Sequence, residues 1–564
     1  MRQLCYAIAI TLTAGIAAAQ ATEGMVTPEM GEPPLMYKGL IPGLHTHKDA
    51  RERLGEPQFE AAWYNYKLHY PAEGRPGLVD AVHVDSNQPD ARLASIEAAS
   101  IPAGYETEKA VVEKLGKPEF TLRMHTWTML DYASQGLRFS LDAAGNTTGV
   151  CYIPHGSRRV PEGERDLIDL RHLRTEPAGG DAVFLDGLQA AAGEVVISPK
   201  EQAWLPEPFT IHQDLKFRFV VLRKGGLTVA LCGADLFGAG WQDIMAIRKA
   251  VAEKGIDHVI FAMSHTHEAG DTIGIYGHYP AQFIAHIKEQ TITALTEALD
   301  RLEPVTAIRA ASRELPMDGT RVMGLIRNAR NPGVLDPTMD VVSIDGEGGA
   351  PIATIVHFAC HPEHVEAGPK EIDADFPGYM CAALQAAGVG GQPIFMNGAL
   401  GGMVSGDTPE RTHESARETG EKFAALAQEL MQELKPIGGG TFAVDQRRVE
   451  LPVTNAAFDE FLLSGLRPSN AGRIITDMTY VKIGELQLIT LPGEVLPEVS
   501  YEILEKMAGF PRLLTGLTND QLGYIIPPWD FRKTVYEESM SVGPATAVMV
   551  RDTALRMMKA LDRE

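Results

Sequence analysis

Residues 227–267 read LTVALCGADLFGAGWQDIMAIRKAVAEKGIDHVIFAMSHTH. Leu227–Leu236 is a continuous apolar run ending in polar residues, the pattern of a strand buried on both faces. Trp241–Lys254 switches to helical spacing, with Ile244, Ile247, Ala250 and Val251 on one face. His258–His267 is again an apolar run, ending in Ser-His-Thr-His. Strand, helix, strand is the unit of an α/β domain. The pattern continues outward: Phe283–Arg301 is helical, Pro351–His364 and Gln392–Gly402 are strands with polar or Gly-rich ends, and Glu414–Leu434 is helical. Leu486–Leu496 is a further strand running into a glycine, and Pro497–Met507 a helix. The expected fold is α/β, with a large mixed or mostly parallel sheet in a domain spanning 181–564. Its site is expected where strands end, as in open α/β sheets.

Upstream the chain repeats itself. Pro42–Pro57 (PGLHTHKDARERLGEP) and Gly104–Pro118 (GYETEKAVVEKLGKP) match at an offset that pairs Gly43 with Gly104, Thr46 with Thr107, Leu54 with Leu115 and Gly55 with Gly116. Threonine can cap a short helix in each copy, and Gly-x-Pro stops it. Strand-like segments follow, such as Leu78–Val84 and Gly136–Asp142. Residues 36–155 therefore read as a small duplicated α+β module, with repeats starting near 43 and 104. It resembles the BamE/SmpA-type modules of bacterial envelope proteins, which implies docking, with an envelope partner, in place of chemistry. His45 and His47 read as a polar helix start. Residues 156–180, rich in Arg, Glu and Pro at their core, read as a linker.

Met1–Ala19 (MRQLCYAIAITLTAGIAAA) has one cation, an apolar stretch and small residues, the layout of a secretory signal peptide. The expected location is secreted or periplasmic. No later run is long and apolar enough to be a transmembrane span. With 51 Lys+Arg against 74 Asp+Glu, the net charge of −23 argues against nucleic acid as a partner and against electrostatic docking on anionic membranes. Beyond Cys5 in the leader, the cysteines are Cys151, Cys232, Cys360 and Cys381, too few for a disulfide scaffold. A Cys360–Cys381 bridge and buried free thiols are both open.

The residues suited to chemistry stand at strand ends. In an extended chain His265 and His267 project from one face and can reach one ion or one substrate group. His361 ends its strand in His-Pro, with Glu363 and His364 close behind. Glu494 is a charge after an almost wholly apolar run, and reads either as a ligand or as a helix N-terminal carboxylate. Together they fit the nitrogen and oxygen donor set of a catalytic zinc site. Asn397–Ser405 (NGALGGMVS) is a Gly-rich strand exit whose amides can approach an oxyanion. Ser405 reads either as a nucleophile or as a simple cap. It does not sit in a G-x-S-x-G elbow, and no Walker loop is present.

With these residues in view, about Glu194 to Glu564 resembles the neutral (alkaline, non-lysosomal) ceramidase family. Ile211–Phe219 is similar to its early histidine segment, Ser264–His267 to H-T-H-x-G-P, and Phe358–His361 to F-A-x-H. Asp373–Tyr379 is similar to S-A-D-x-P-G-Y, Leu400–Ser405 to G-D-V-S-P, and Pro492–Glu494 to P-G-E. Gly516–Asn519, Tyr524 and Tyr536-Glu537 follow its G-L-x-N, Y and Y-E run. The resemblance implies a Zn2+ amidase acting on the N-acyl bond of ceramide. His265, His361, Glu494 and Tyr524 would hold the metal. His267 and Tyr536 would bind or polarise the substrate, Arg327 would contact the amide or the product carboxylate, and Ser405 would take the serine position.

The chain departs from the family at Glu268-Ala269-Gly270-Asp271 after H-T-H, at Gly402-Met403 where the Asp of G-D-V-S is missing, and at Gly406 after the serine. It thus resembles a divergent member. The expected function is an exported zinc-dependent hydrolase of an N-acylated lipid or another small amide substrate. The alternatives are a zinc hydrolase of another ester or amide, and a catalytically decayed envelope binding protein.

Overall fold

The computed structural model describes residues 33–63, 65–155, 165–275, 279–323, 326–366, 371–408, 410–456, 458, 469–470, 472–532 and 536–562. Met1–Ala19, expected to be a signal peptide, and 156–164, within the expected linker, lie outside the described residues. Two compact units are present.

The first unit comprises Met1–His172, Pro316–Leu335 and Pro527–Ser539. The helices of the repeat, His47–Leu54 and Glu108–Leu115, are capped by Thr46 and Thr107 and end at Gly55 and Gly116, both at positive φ. Ala50 and Val111, equivalent in the two copies, are the side chains that each helix buries fully. The hydroxyls of Tyr70 and Tyr132 donate to the carbonyls of Gly55 and Gly116, at 3.2 and 2.9 Å. Each copy adds four strands to one sheet, and the copies join through their last strands, with Glu97 opposite Cys151. Leu167–Asp169 closes the far edge in parallel with Phe120–Arg123.

The second unit comprises Leu173–Leu315, Asp336–Ile526 and Met540–Glu564. One mixed sheet contains Gln189–Val196, Lys216–Lys224, Leu227–Ala234 and His258–Met263. A second contains Ala307–Glu314, Thr338–Asp345, Pro351–Phe358 and Gln392–Asn397. Side chains alternate across the pleat, and on Leu227–Ala234 this has a clear outcome. Ala230, Cys232 and Ala234 join the core under the helices Trp241–Ala252 and Ala281–Ala298. Val229 and Leu231 join the core shared with Ile308, Val342, Ile355 and Ile394 of the second sheet. The order is helix, sheet, sheet, helix. The outer helices Asp375–Ala386 and His413–Met431 cover the second sheet through the rings of Phe358, Phe376, Phe395 and Phe423. Burial on both faces explains why these strands read as unbroken apolar runs. Gly233 sits where the sheets approach closest: a Cβ there would lie 2.4 Å from the carbonyl oxygen of Phe395.

A third sheet, Phe442–Pro452, Arg473–Ile483, Leu486–Thr490 and Arg512–Thr515, packs on the helices Pro497–Leu504 and Ala545–Leu561. The α/β class therefore stands, with the strands divided among several mixed sheets. In each of the three large sheets of this unit one pairing is parallel: Leu227–Ala234 with His258–Met263, Pro351–Phe358 with Gln392–Asn397, and Leu486–Thr490 with Arg512–Thr515. The chain leaving the ends of these strands builds the site. All four described cysteines are buried and free.

Candidate metal centre

His265 and His361 follow two of the parallel strands. The strand carrying the first histidine ends at Met263, and His265 takes φ 72°. The extended H-T-H geometry expected from spacing is therefore replaced by a left-handed turn, costly for a residue with a Cβ and typical of functional sites. Main-chain bonds from Ser264 to Ala234 and from His265 to Leu236 hold the turn, at 2.8 and 2.9 Å. The rings of His265 and His267 still meet, 4.8 Å apart between centroids, and His265 lies 5.1 Å from His361. The ligating atoms of the three histidines all lie within 4.8 Å of one another.

The orientation of the two buried imidazoles carries the chemistry. His265 Nδ1 is 2.6 Å from the carbonyl oxygen of Phe237. His361 Nδ1 is 3.1 Å from that of Val404. In both rings Nδ1 is thereby the protonated nitrogen of the neutral tautomer and Nε2 is left as the lone-pair donor. Those two Nε2 atoms flank the Glu494 carboxylate, at 3.6 Å from Oε1 and 3.0 Å from Oε2. Ligating histidines tied through their other nitrogen to a carbonyl are the usual outer support of a metal site.

Glu494 opens a two-residue parallel pairing in which Tyr524 is its partner. The carboxylate accepts from Gln521 Nε2 at 2.9 Å and from the Tyr524 hydroxyl. That hydroxyl also lies 3.0 Å from Met403 Sδ. Burial alone raises the Glu494 pKa, but the two imidazoles and Tyr524 outweigh it and bring the group down to about 2. Burial holds His265 at about 3, so it is neutral. Burial also lowers His361, but its bond to Glu494 and the nearby Glu363 prevail and raise it. Two imidazoles, a carboxylate and a phenol make a donor set that zinc accepts.

His267 is the solvent-facing member of the group, with a third of its side chain exposed; its Nδ1 lies 3.4 Å from the buried Glu363. Its surrounding protein atoms lower its pKa, and Glu363 opposes that shift. Ser405 is buried and forms a parallel bridge with His361, which places the two side chains on the same side of the chain. Its Oγ bonds the carbonyl oxygen of Gly406 at 3.5 Å, with no base within bonding distance among the described residues. The second unit thus gathers His265, His267, His361, Ser405, Glu494 and Tyr524. Arg327 and Tyr536 belong to the first unit. There Arg327 is buried with Nε 3.6 Å from Glu97, and its guanidinium makes no hydrogen bond among the described residues. Tyr536 opens the short helix Tyr536–Ser539.

Sequence reasoning passed over two supports. Gln521 orients Glu494 and carries no local signal. Asn397 is fully buried, and its Nδ2 donates to the carbonyls of Ser264 and Cys360, at 2.9 and 2.8 Å. Its Oδ1 accepts from Cys360 N at 3.1 Å. One amide therefore clamps the residue before His265 to the residue before His361. A polar residue ending an apolar strand was the available signal.

No protein-family model matches the chain, and no curated protein matches it in sequence. Among solved structures it is similar to the neutral ceramidase from Pseudomonas aeruginosa, with a TM-score of 0.55 and 17% identity over 66% of this chain and 74% of that one. A ceramidase complexed with C2 gives a TM-score of 0.56 and 17% identity over 67% and 75%. The shared property at this identity is the fold, a ceramidase-like α/β architecture.

Proposed function

We propose that the protein is an exported, zinc-dependent hydrolase that cleaves the N-acyl amide bond of ceramide or a related N-acyl amphiphile. One observation carries the reading: on a ceramidase-like fold, His265 and His361 each have Nδ1 at a backbone carbonyl and Nε2 turned to the Glu494 carboxylate. His265, His361, Glu494 and Tyr524 hold the ion in this reading. Zinc supplies Lewis acidity towards a carbonyl and lowers the pKa of a nucleophile. His267, open to solvent and backed by Glu363, takes the proton and returns it to the leaving amine. Tyr536 is assigned to binding or polarising the substrate, Arg327 to the amide or the product carboxylate, and Ser405 to the serine position. Met1–Ala19 directs export, and the duplicated module docks an envelope partner. Among the described residues no helix is long and apolar enough to cross a membrane.

The Ser405 geometry favours a second reading, hydrolysis of another ester or amide without a serine acyl-enzyme. An activated serine needs a base in hydrogen-bond reach, and here Oγ meets a carbonyl oxygen. One experiment covers both. Purified protein is assayed on N-acyl sphingoid bases and on simple amides and esters, beside the variants His361→Ala and Ser405→Ala, with zinc measured on each. Loss of zinc and turnover in His361→Ala supports the proposal, and retention of both refutes it. Undiminished turnover in Ser405→Ala selects the second reading.

A further inference from the structure

A second cluster of metal-binding side chains lies in the same unit and has no part in the chemistry above. Ligating atoms of His212, Asp373 and His413 lie within 4.8 Å of one another. We propose that these three residues, with Glu371 supporting His413 from behind, form a second zinc-type metal site that braces the loop bearing His265 and His267.

Main-chain pairing sets two of the three donors and the supporting Glu371. Thr210–Ile211 pairs in parallel with Glu371–Ile372, and His212 N donates to the carbonyl of Ile372 at 2.9 Å. His212 therefore follows one short strand while Glu371 and Asp373 flank Ile372 on the other. The third donor, His413, is the first residue of the long helix His413–Met431, whose start is fixed by Thr412 accepting from Ser415 N. Such placement leaves little conformational freedom to lose on binding an ion.

The donor chemistry points the same way. His413 Nδ1 is 2.7 Å from Asp373 Oδ2, and its Nε2 meets Glu371 Oε2. The His212 ring lies parallel to that of His413, 3.5 Å between centroids and 15° between planes, and it makes no side-chain hydrogen bond among the described residues. A proton on His413 satisfies the two carboxylates but gives His212 no reason to lie against a cation. A shared ion accounts for His212, Asp373 and His413 together, while Glu371 holds the far nitrogen of His413. Two imidazole nitrogens and one carboxylate oxygen, with a position left for water, suit zinc, whose donors stand about 3.4 Å apart in a tetrahedral site. The pair at 2.7 Å therefore needs to open only slightly. Asp373 also has the outer support expected of a ligand, since the Tyr379 hydroxyl donates to Oδ2 at 3.2 Å.

The bracing follows from the Asp373 main chain. Its carbonyl accepts from Thr266 Oγ1 at 2.7 Å, and its N–H donates to the carbonyl of Glu268 at 3.1 Å. Thr266 lies between His265 and His267. An ion that immobilises Asp373 thereby immobilises the turn that aims both histidines.

The test is metal stoichiometry on the full chain, with Zn2+ or Co2+ alone as the probe, by equilibrium dialysis and elemental analysis. His361→Ala removes the first centre. In that background about one equivalent is expected to remain, and His212→Ala, a surface change that spares the fold, or His413→Ala is expected to abolish it. An unchanged equivalent after both changes overturns the site. Hydrogen exchange tests the bracing: in His361→Ala, Zn2+ should slow exchange across residues 264–268, and binding without slowing overturns that part. If His361→Ala loses no metal in the wild-type background, the first centre fails and this one is unaffected.

Discussion

Asn397 offers the sharpest test of how the first centre is built. Replacing it by alanine deletes three hydrogen bonds, from Cys360 N and to the carbonyls of Ser264 and Cys360. At about 1 kcal/mol net for each, the loss is about 3 kcal/mol, and more if water cannot reach the orphaned groups. The loops bearing His265 and His361 then lose their common clamp. Supports of this kind are worth roughly 10–100-fold in metal affinity. Urea denaturation in chelator isolates the stability of the metal-free protein, and zinc competition with a chromogenic chelator gives the affinity. Asn397→Asp is the companion variant. It keeps the volume but turns a carboxylate on two carbonyl oxygens, so it should be at least as destabilised, with no cavity to blame. Stability within 0.5 kcal/mol of wild type in both variants, with unchanged zinc affinity, would refute the clamp.

A Cβ on Gly401 would lie 2.6 Å from the carbonyl oxygen of Glu494 and 2.7 Å from Leu496 N. Backbone cannot rotate aside, so Gly401→Ala should cost about 1–3 kcal/mol and weaken zinc binding, whereas Gly226→Ala, with open space around it, should be neutral by the same denaturation assay. Arg218 is buried on Asp235, with Nη1 at 2.9 and 2.8 Å from the two carboxylate oxygens. Arg218→Met should cost about 3–5 kcal/mol by stranding that charge, and Arg218→Met with Asp235→Leu should recover most of it in urea melts. Below its raised pKa His361 takes a second proton, on the Nε2 that faces Glu494, and zinc must displace it. Apparent zinc affinity should therefore be full above the raised His361 pKa and fall about tenfold per pH unit below it. Calorimetry in buffers of different ionisation enthalpy should register about one proton released well below that pKa and about none well above it, and no release at the lower pH would contradict the assignment.

Much of the second unit was legible because its strands are covered on both faces. Leu227–Ala234 and His258–Met263 show as unbroken apolar runs. Boundaries were less visible. The helix read from Glu414 starts at His413, and that one residue hides a ligand of the second cluster. His265 was read in an extended chain and lies in a left-handed turn, which depends on main-chain bonds to Ala234 and Leu236 that no local pattern records. Asn397 looked like the polar end of a strand, and its clamp became visible only with both loops in place.

By itself the sequence determined the alternation of elements, the repeat with its threonine caps and glycine stops, and the set of histidines and carboxylates at strand ends. These are local properties, written in periodicity and in the conformational preferences of single residues. Tertiary structure decided which of those residues meet. His361 and Glu494 are 133 positions apart and 3.0 Å apart in space. His413 reaches Asp373 across 40 positions. Such meetings depend on how sheets stack and where loops close, and the free energy that sets them comes from apolar burial spread over the whole core, not from the ligands themselves.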